Sequence, residues 1–220
     1  MKHRPGEIER GSMAIIESEL AAHGVTLPEE NAAVILRCIH ASADFDYAEN
    51  LRFTPEAVEK TAQALRDSTV IVTDTNMALA GISRPGLRTL GCEGVCYMAE
   101  NFIAAAAKEN QTTRAAASMR YAGKRFPHAV YAVGNAPTAL LALADQIEGG
   151  QRPALVIAAP VGFVNVTESK ERIFRVCCEY KVPCIAAMGR KGGSSIAAAI
   201  CNALLYTAAG MLDPKERGWD

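Results

Sequence analysis

Within RCIHASADFD (37–46), Arg37 and His40 stand three apart, so on a helix they share one face and project a cation and a titratable imidazole together. An imidazole tuned by a neighbouring charge can donate and accept a proton near neutral pH. The other histidines offer less: His3 lies in a terminal arm, His23 precedes a glycine-containing turn and His128 precedes a strand. A lone helical histidine is more often a packing residue, so this pair points to acid–base work without fixing a reaction. A second signal is cationic. Lys170, Arg190 and Lys191 fall at loops that read as strand-to-helix turns, and Arg114 follows Thr112 and Thr113 in the first turn of a helix. A helix N-terminus already carries partial positive charge, so added cations there are unfavourable unless an anion shares the site. The repetition predicts an anionic ligand.

Phosphate templates do not fit. GRKGGS (189–194) matches neither GxxxxGK followed by Ser or Thr nor GxGxxG after a first strand. What remains around Gly192 is a turn whose backbone N–H groups could approach an anion, or one that simply needs glycine. GNAPTAL places Asn135 after a strand and Pro137 at a helix start, again leaving N–H groups free. No GxSxG elbow or HExxH spacing occurs. Asp44, Asp46 and Asp74 are candidate carboxylates, with Asp74 also placed to cap the next turn. The seven cysteines form no CxxC pair and are odd in number, so they read as buried free thiols rather than a metal or disulfide framework. Anion binding plus one acid–base group suffices for an isomerase or lyase.

The positioning elements alternate. Helices are predicted over 12–23, 28–43 and from Thr54 to Asp67, followed by strands at 69–74, 94–98, 129–134, 154–159 and 183–188. The last three strands each lead into a helix, at 136–148, 167–180 and 194–208. Short Val- and Ile-rich strands without strict alternation suit a parallel sheet covered on both faces. The fold class is therefore α/β: a three-layer αβα unit with a mainly parallel, doubly wound sheet after N-terminal helices. In such sheets ligands bind beyond the carboxyl ends of the strands, where GNAPT, APVGFVNVTESK and GRKGGSS fall.

At 220 residues, half of them hydrophobic, the chain reads as one domain over 1–220 with a polar, frayed tail at about 213–220. A net charge of −1 argues against an electrostatic nucleic-acid binder. No apolar run approaches a membrane span and MKHRPGEIERGS lacks a signal-peptide core, so a cytoplasmic location is expected.

RCIHASAD, DTNMALAGI, VGNAPTAL, PVGFVNVTESK and GRKGGSSIAAAICNAL, in that order, make the chain resemble the precorrin-8X methylmutase family of cobalamin biosynthesis from Ser12 to about Leu205. The resemblance implies a 1,5-sigmatropic migration of a methyl group between adjacent ring C carbons. The product is hydrogenobyrinic acid, or its cobalt counterpart. It implies no protein cofactor, any cobalt being carried by the macrocycle, and an anionic tetrapyrrole whose carboxylates answer the cations. It makes His40 the catalytic residue, protonating a ring nitrogen or selecting the tautomer that rearranges. It makes Ser12, Arg37, Ser83 and Arg114 substrate contacts, and brings in the turns around Asn135, Lys170 and Gly192. A homodimer with active sites near the subunit interface is also implied. Two other functions compete. A non-catalytic tetrapyrrole or organic-anion carrier would bind pigment without converting it, and a nucleotide-dependent transferase would bind ATP or NAD and no corrin.

Overall fold

The computed structural model describes residues 4–218. Its centre is a six-stranded sheet in the order β1-β6-β5-β4-β2-β3, built from β1 (Leu51–Phe53), β2 (Val70–Thr73), β3 (Glu93–Val95), β4 (Val130–Val133), β5 (Leu155–Ala158) and β6 (Cys184–Ala187). All neighbours are parallel except β1, which runs antiparallel to β6 with Leu51 opposite Ala187. Every residue of β4, β5 and β6 is buried, as expected for strands covered on both faces. The order reverses between β2 and β4, which opens a crevice beyond their carboxyl ends.

Helices cover both faces. One layer holds α1 (Pro5–Ala22), α2 (Glu29–Ser42), α4 (Ala57–Arg66) and α11 (Ser194–Ala209), packed through Ile16, Leu20, Val34, Ile39, Leu65 and Leu204. The other holds α8 (Arg114–Arg125), α9 (Pro137–Glu148) and α10 (Val166–Glu179), packed through Met119, Leu140, Leu143 and Ile173. The three-layer αβα expectation holds, and the N-terminal helices α1 and α2 form part of one layer.

Several elements differ from the sequence reading. α1 starts at Pro5 rather than residue 12, because Pro5 supplies the first-turn φ and Glu7 complements the helix N-terminus. Pro28 caps α2 instead of sitting inside it, and α4 starts at Ala57 after a turn at Thr54. A short α3 (Tyr47–Asn50) and β1, neither expected, add the antiparallel edge. The tail expected to fray is docked: Asp213 caps a 3-10 turn over Pro214–Arg217, and Arg217 reaches buried Glu9 at 2.7 Å. His3, Trp219 and Asp220 lie outside the described residues.

Candidate active site at the carboxyl edge of the sheet

His40 sits in the last turn of α2, and Ser12 faces it from the middle of α1. Ser12 Oγ lies 2.9 Å from His40 Nδ1, within hydrogen-bond distance. The residue as a whole is exposed although its ring is partly buried, and among the described residues none hydrogen-bonds its other nitrogen, Nε2. Burial pushes the His40 pKa down, and the Arg37 and Arg217 guanidiniums add to that, while Glu9 opposes it. The imidazole is thus set to release a proton more readily than a free histidine.

Arg37, one turn earlier, is occupied within the protein. Its guanidinium pairs with Glu9 Oε1 at 2.8 Å and lies 5.3 Å from the centre of the Tyr206 ring. The α2 C-terminus is then tied to the sheet edge. Ala43 turns the chain at φ 55°, and Asp44 and Asp46 both receive Lys191 from the loop after β6, Asp44 at 2.7 Å. This contact ties the segment that follows His40 to the loop after β6.

The floor of the crevice is a polar lock. Asp74, at the end of β2, accepts the backbone N–H groups of Gly134, Asn135 and Ala136, each at 2.8 Å. Burial raises the Asp74 pKa and these three bonds pull it back, so they determine how far the carboxylate stays ionised. Beside it Thr75 Oγ1 lies 2.8 Å from Ser194 Oγ at the start of α11. Gly134 packs so closely that a Cβ there would stand 2.7 Å from Ser194 Cα. At Gly192 a Cβ would stand 2.2 Å from the Ala159 carbonyl oxygen, to which Gly193 N–H donates at 2.8 Å. Gly192 is therefore required for the close approach of the loops after β5 and β6.

Much of the cationic signal at these loops is answered internally. Lys170 is fully buried, and its ammonium donates to the carbonyls of Gly189 at 2.9 Å and Lys191 at 2.8 Å. It stands a full turn inside α10, past the Asn165 cap, so it holds the glycine loop rather than facing an open anion site. Lys191 is neutralised by Asp44 and Asp46, and Arg190 lies 5.5 Å from the centre of the Phe163 ring. Lys170 and Lys191 therefore need no ligand to answer them, because backbone carbonyls accept from Lys170 and two carboxylates pair with Lys191. Arg114 keeps its expected place: it is exposed at the first turn of α8, behind the Thr113 cap, with no ion pair among the described residues.

The other expected contacts divide. Asn135 lies in the turn that Asp74 organises, with its side chain at the crevice surface. Ser83 caps α6 (Arg84–Thr89) by accepting Gly86 N–H at 3.2 Å, and its own N–H donates to Asn202 at 2.7 Å. No hydrogen bond or ion pair joins Ser83 or Arg114 to the Ser12–His40 pair among the described residues. Glu9, Arg217, Thr75 and Ser194 were missed. Glu9 carried one signal, since it precedes Ser12 by the same three residues that separate Arg37 from His40.

Comparison with known proteins gives a consistent result. The family model for precorrin-8X methylmutase matches residues 7–207. A cobalt-precorrin-8 methylmutase of Leptospira interrogans is 40% identical over 92% of this chain and 93% of its own length. A precorrin-8X methylmutase of Pseudomonas aeruginosa is 36% identical over 90% and 93%. The crystal structure of a precorrin-8x methyl mutase from Thermus thermophilus superposes with a TM-score of 0.82 at 39% identity, covering 92% of this chain and 98% of that one. The fold is thus shared across nearly the full length. The chain belongs to the precorrin-8X methylmutase family.

Proposed function

We propose that this chain is a methylmutase of cobalamin biosynthesis that moves a methyl group between adjacent ring C carbons of precorrin-8X or cobalt-precorrin-8, and that His40 governs the proton in that step. The observation that carries the role of His40 is the Ser12–His40 contact at 2.9 Å beside a second ring nitrogen that none of the described residues hydrogen-bonds. When the ring is charged, Nδ1–H donates to Ser12 Oγ and Nε2–H can pass its proton to a macrocycle nitrogen, leaving a neutral ring whose Nδ1–H still holds Ser12. Burial, with the nearby guanidiniums adding to it, disfavours the charged imidazolium and so favours handing that proton to the substrate. A pericyclic shift asks the protein mainly for proton placement and a held conformation.

In the same reading Asn135, Arg114 and the loop around Gly192 border the seat of an anionic tetrapyrrole, while Arg37 and Lys170 shape it from behind. Any cobalt is carried by the macrocycle. Among the described residues no group of three or more His, Cys, Asp or Glu is placed to hold a metal ion, and no helix is long and apolar enough to cross a membrane. A cytoplasmic homodimer completes the proposal. The test is to mix purified protein with metal-free and cobalt-loaded substrate and follow each absorption spectrum. Conversion of either to the corresponding hydrogenobyrinic or cobyrinic acid supports the reading, and inertness towards both refutes it.

A further inference from the structure

The Ser12–His40 contact is one of two rungs between α1 and α2. Glu9 and Ser12 are three apart on α1, Arg37 and His40 are three apart on α2, and Glu9 Oε1 meets Arg37 Nη2 at 2.8 Å. Residues three apart on a helix stack on one face, so both rungs are set by one relative register of the two helices. A slide or rotation that breaks one rung misplaces the other.

The lower rung is closed by the C-terminal segment. Arg217 Nη2 donates to the same Glu9 oxygen at 2.7 Å, and its guanidinium lies 4.5 Å from the centre of the Tyr206 ring that also receives Arg37. The three charged side chains are nearly sealed from water, at 9% exposure for Glu9, 13% for Arg37 and 3% for Arg217. Arg10 reaches Asp213 at 3.1 Å and pins the segment to α1 a second time. Such a sealed, charge-assisted network holds a fixed geometry, because breaking it strands an uncompensated charge.

We infer that Glu9, clamped by Arg217, is a positioning residue for the proposed reaction: it fixes the register that sets Ser12 on His40 and screens His40 from two guanidiniums. This rests on the role proposed above for His40. Three charges bear on His40: Glu9 from α1, Arg37 from its own helix and Arg217 from the tail. Helix α11 offers no charged side chain, and Asp44 and Asp46 beyond the helix end are engaged by Lys191. With Glu9 neutral, both guanidiniums act on the imidazole unopposed.

The signs of two substitutions separate this inference from simple loosening. The His40 pKa is read by NMR titration without substrate, its signal assigned by loss in a His40→Ala protein, and kcat and KM are taken with whichever substrate the wild type converts. Glu9→Gln is expected to lower kcat about ten- to a hundredfold, by misplacing the imidazole, with the circular dichroism spectrum retained. It is also expected to lower the His40 pKa further. Arg217→Gln is expected to raise that pKa. Loosening alone would expose the ring further and move both variants upward, so two upward shifts overturn the inference, as does wild-type kcat in Glu9→Gln. If Glu9→Gln does not fold, Glu9→Asp replaces it. The shorter carboxylate keeps the charge and loses the reach, so kcat falls while the pKa stays near wild type, and an unchanged kcat is the contrary result. Failure of the wild type to convert either substrate would strike the proposed function, whereas the titration reads the coupling without turnover.

Discussion

Lys170→Met tests whether one of the cations expected to meet a ligand is a structural one. The ammonium is sealed from water between α10 and the loop after β6, and its two carbonyl partners accept at 2.8 and 2.9 Å. Burial pushes its pKa from the ordinary 10.5 down to about 8. The unfolded chain therefore binds this proton between about pH 8 and 10.5 while the native chain has released it, so native stability rises with pH across that window. Below about pH 8 both states hold the proton and the gain is gone. The shift corresponds to about 3 kcal/mol, as an order of magnitude. Met relieves the buried charge and removes two charge-assisted hydrogen bonds, of about 1.5–3 kcal/mol each, so the two changes offset and pH 7 stability stays within about 2 kcal/mol of wild type. Buried thiols and tyrosines such as Cys201 and Tyr131, whose pKa values burial raises, titrate with the opposite sign, but they are common to both proteins. Urea unfolding at half-unit steps from pH 7 to 10.5 gives the difference between wild type and variant. It should rise by about 3 kcal/mol in favour of wild type. A difference independent of pH would show that the amine is not held as a buried cation.

Two further substitutions probe the crevice floor. Asp74→Asn leaves one acceptor oxygen for three N–H donors and turns an amide donor towards them, at a cost of about 2–4 kcal/mol. Thermal unfolding reads this, and an unchanged Tm would mean the lock at Gly134, Asn135 and Ala136 is dispensable. Gly192→Ala forces a Cβ against a backbone carbonyl, for about 1–3 kcal/mol of strain, and separates the loops after β5 and β6. Hydrogen exchange at the Gly193 amide, which donates to Ala159, should speed up, and retained protection would contradict the close-approach account.

The sheet was legible because five strands lie on short apolar runs and the last three each lead into a helix, although the run read at 94–98 forms β3 at Glu93–Val95. The edge strand β1 was not: Leu51–Phe53 is three residues long and is a strand only because β6 lies beside it. The start of α1 was hidden in a charged stretch whose Glu9 is buried by a partner more than 200 residues away. The same limit explains the cations. Spacing places Lys170 near a helix start, but its carbonyl partners lie 19 and 21 residues on, and Lys191 finds its carboxylates across the chain. His40 was legible from local spacing, whereas Ser12 came only from the resemblance, since nothing in α1 alone says what faces it.

The central claim is that His40, oriented by Ser12, governs the proton on which the methyl migration depends. The direct measurement is a single-turnover spectrum of His40→Ala with saturating substrate, beside a titration of pigment binding to the same protein. Binding close to wild type, an unchanged circular dichroism spectrum and no conversion on the wild-type timescale are expected. Full turnover by His40→Ala would contradict the claim.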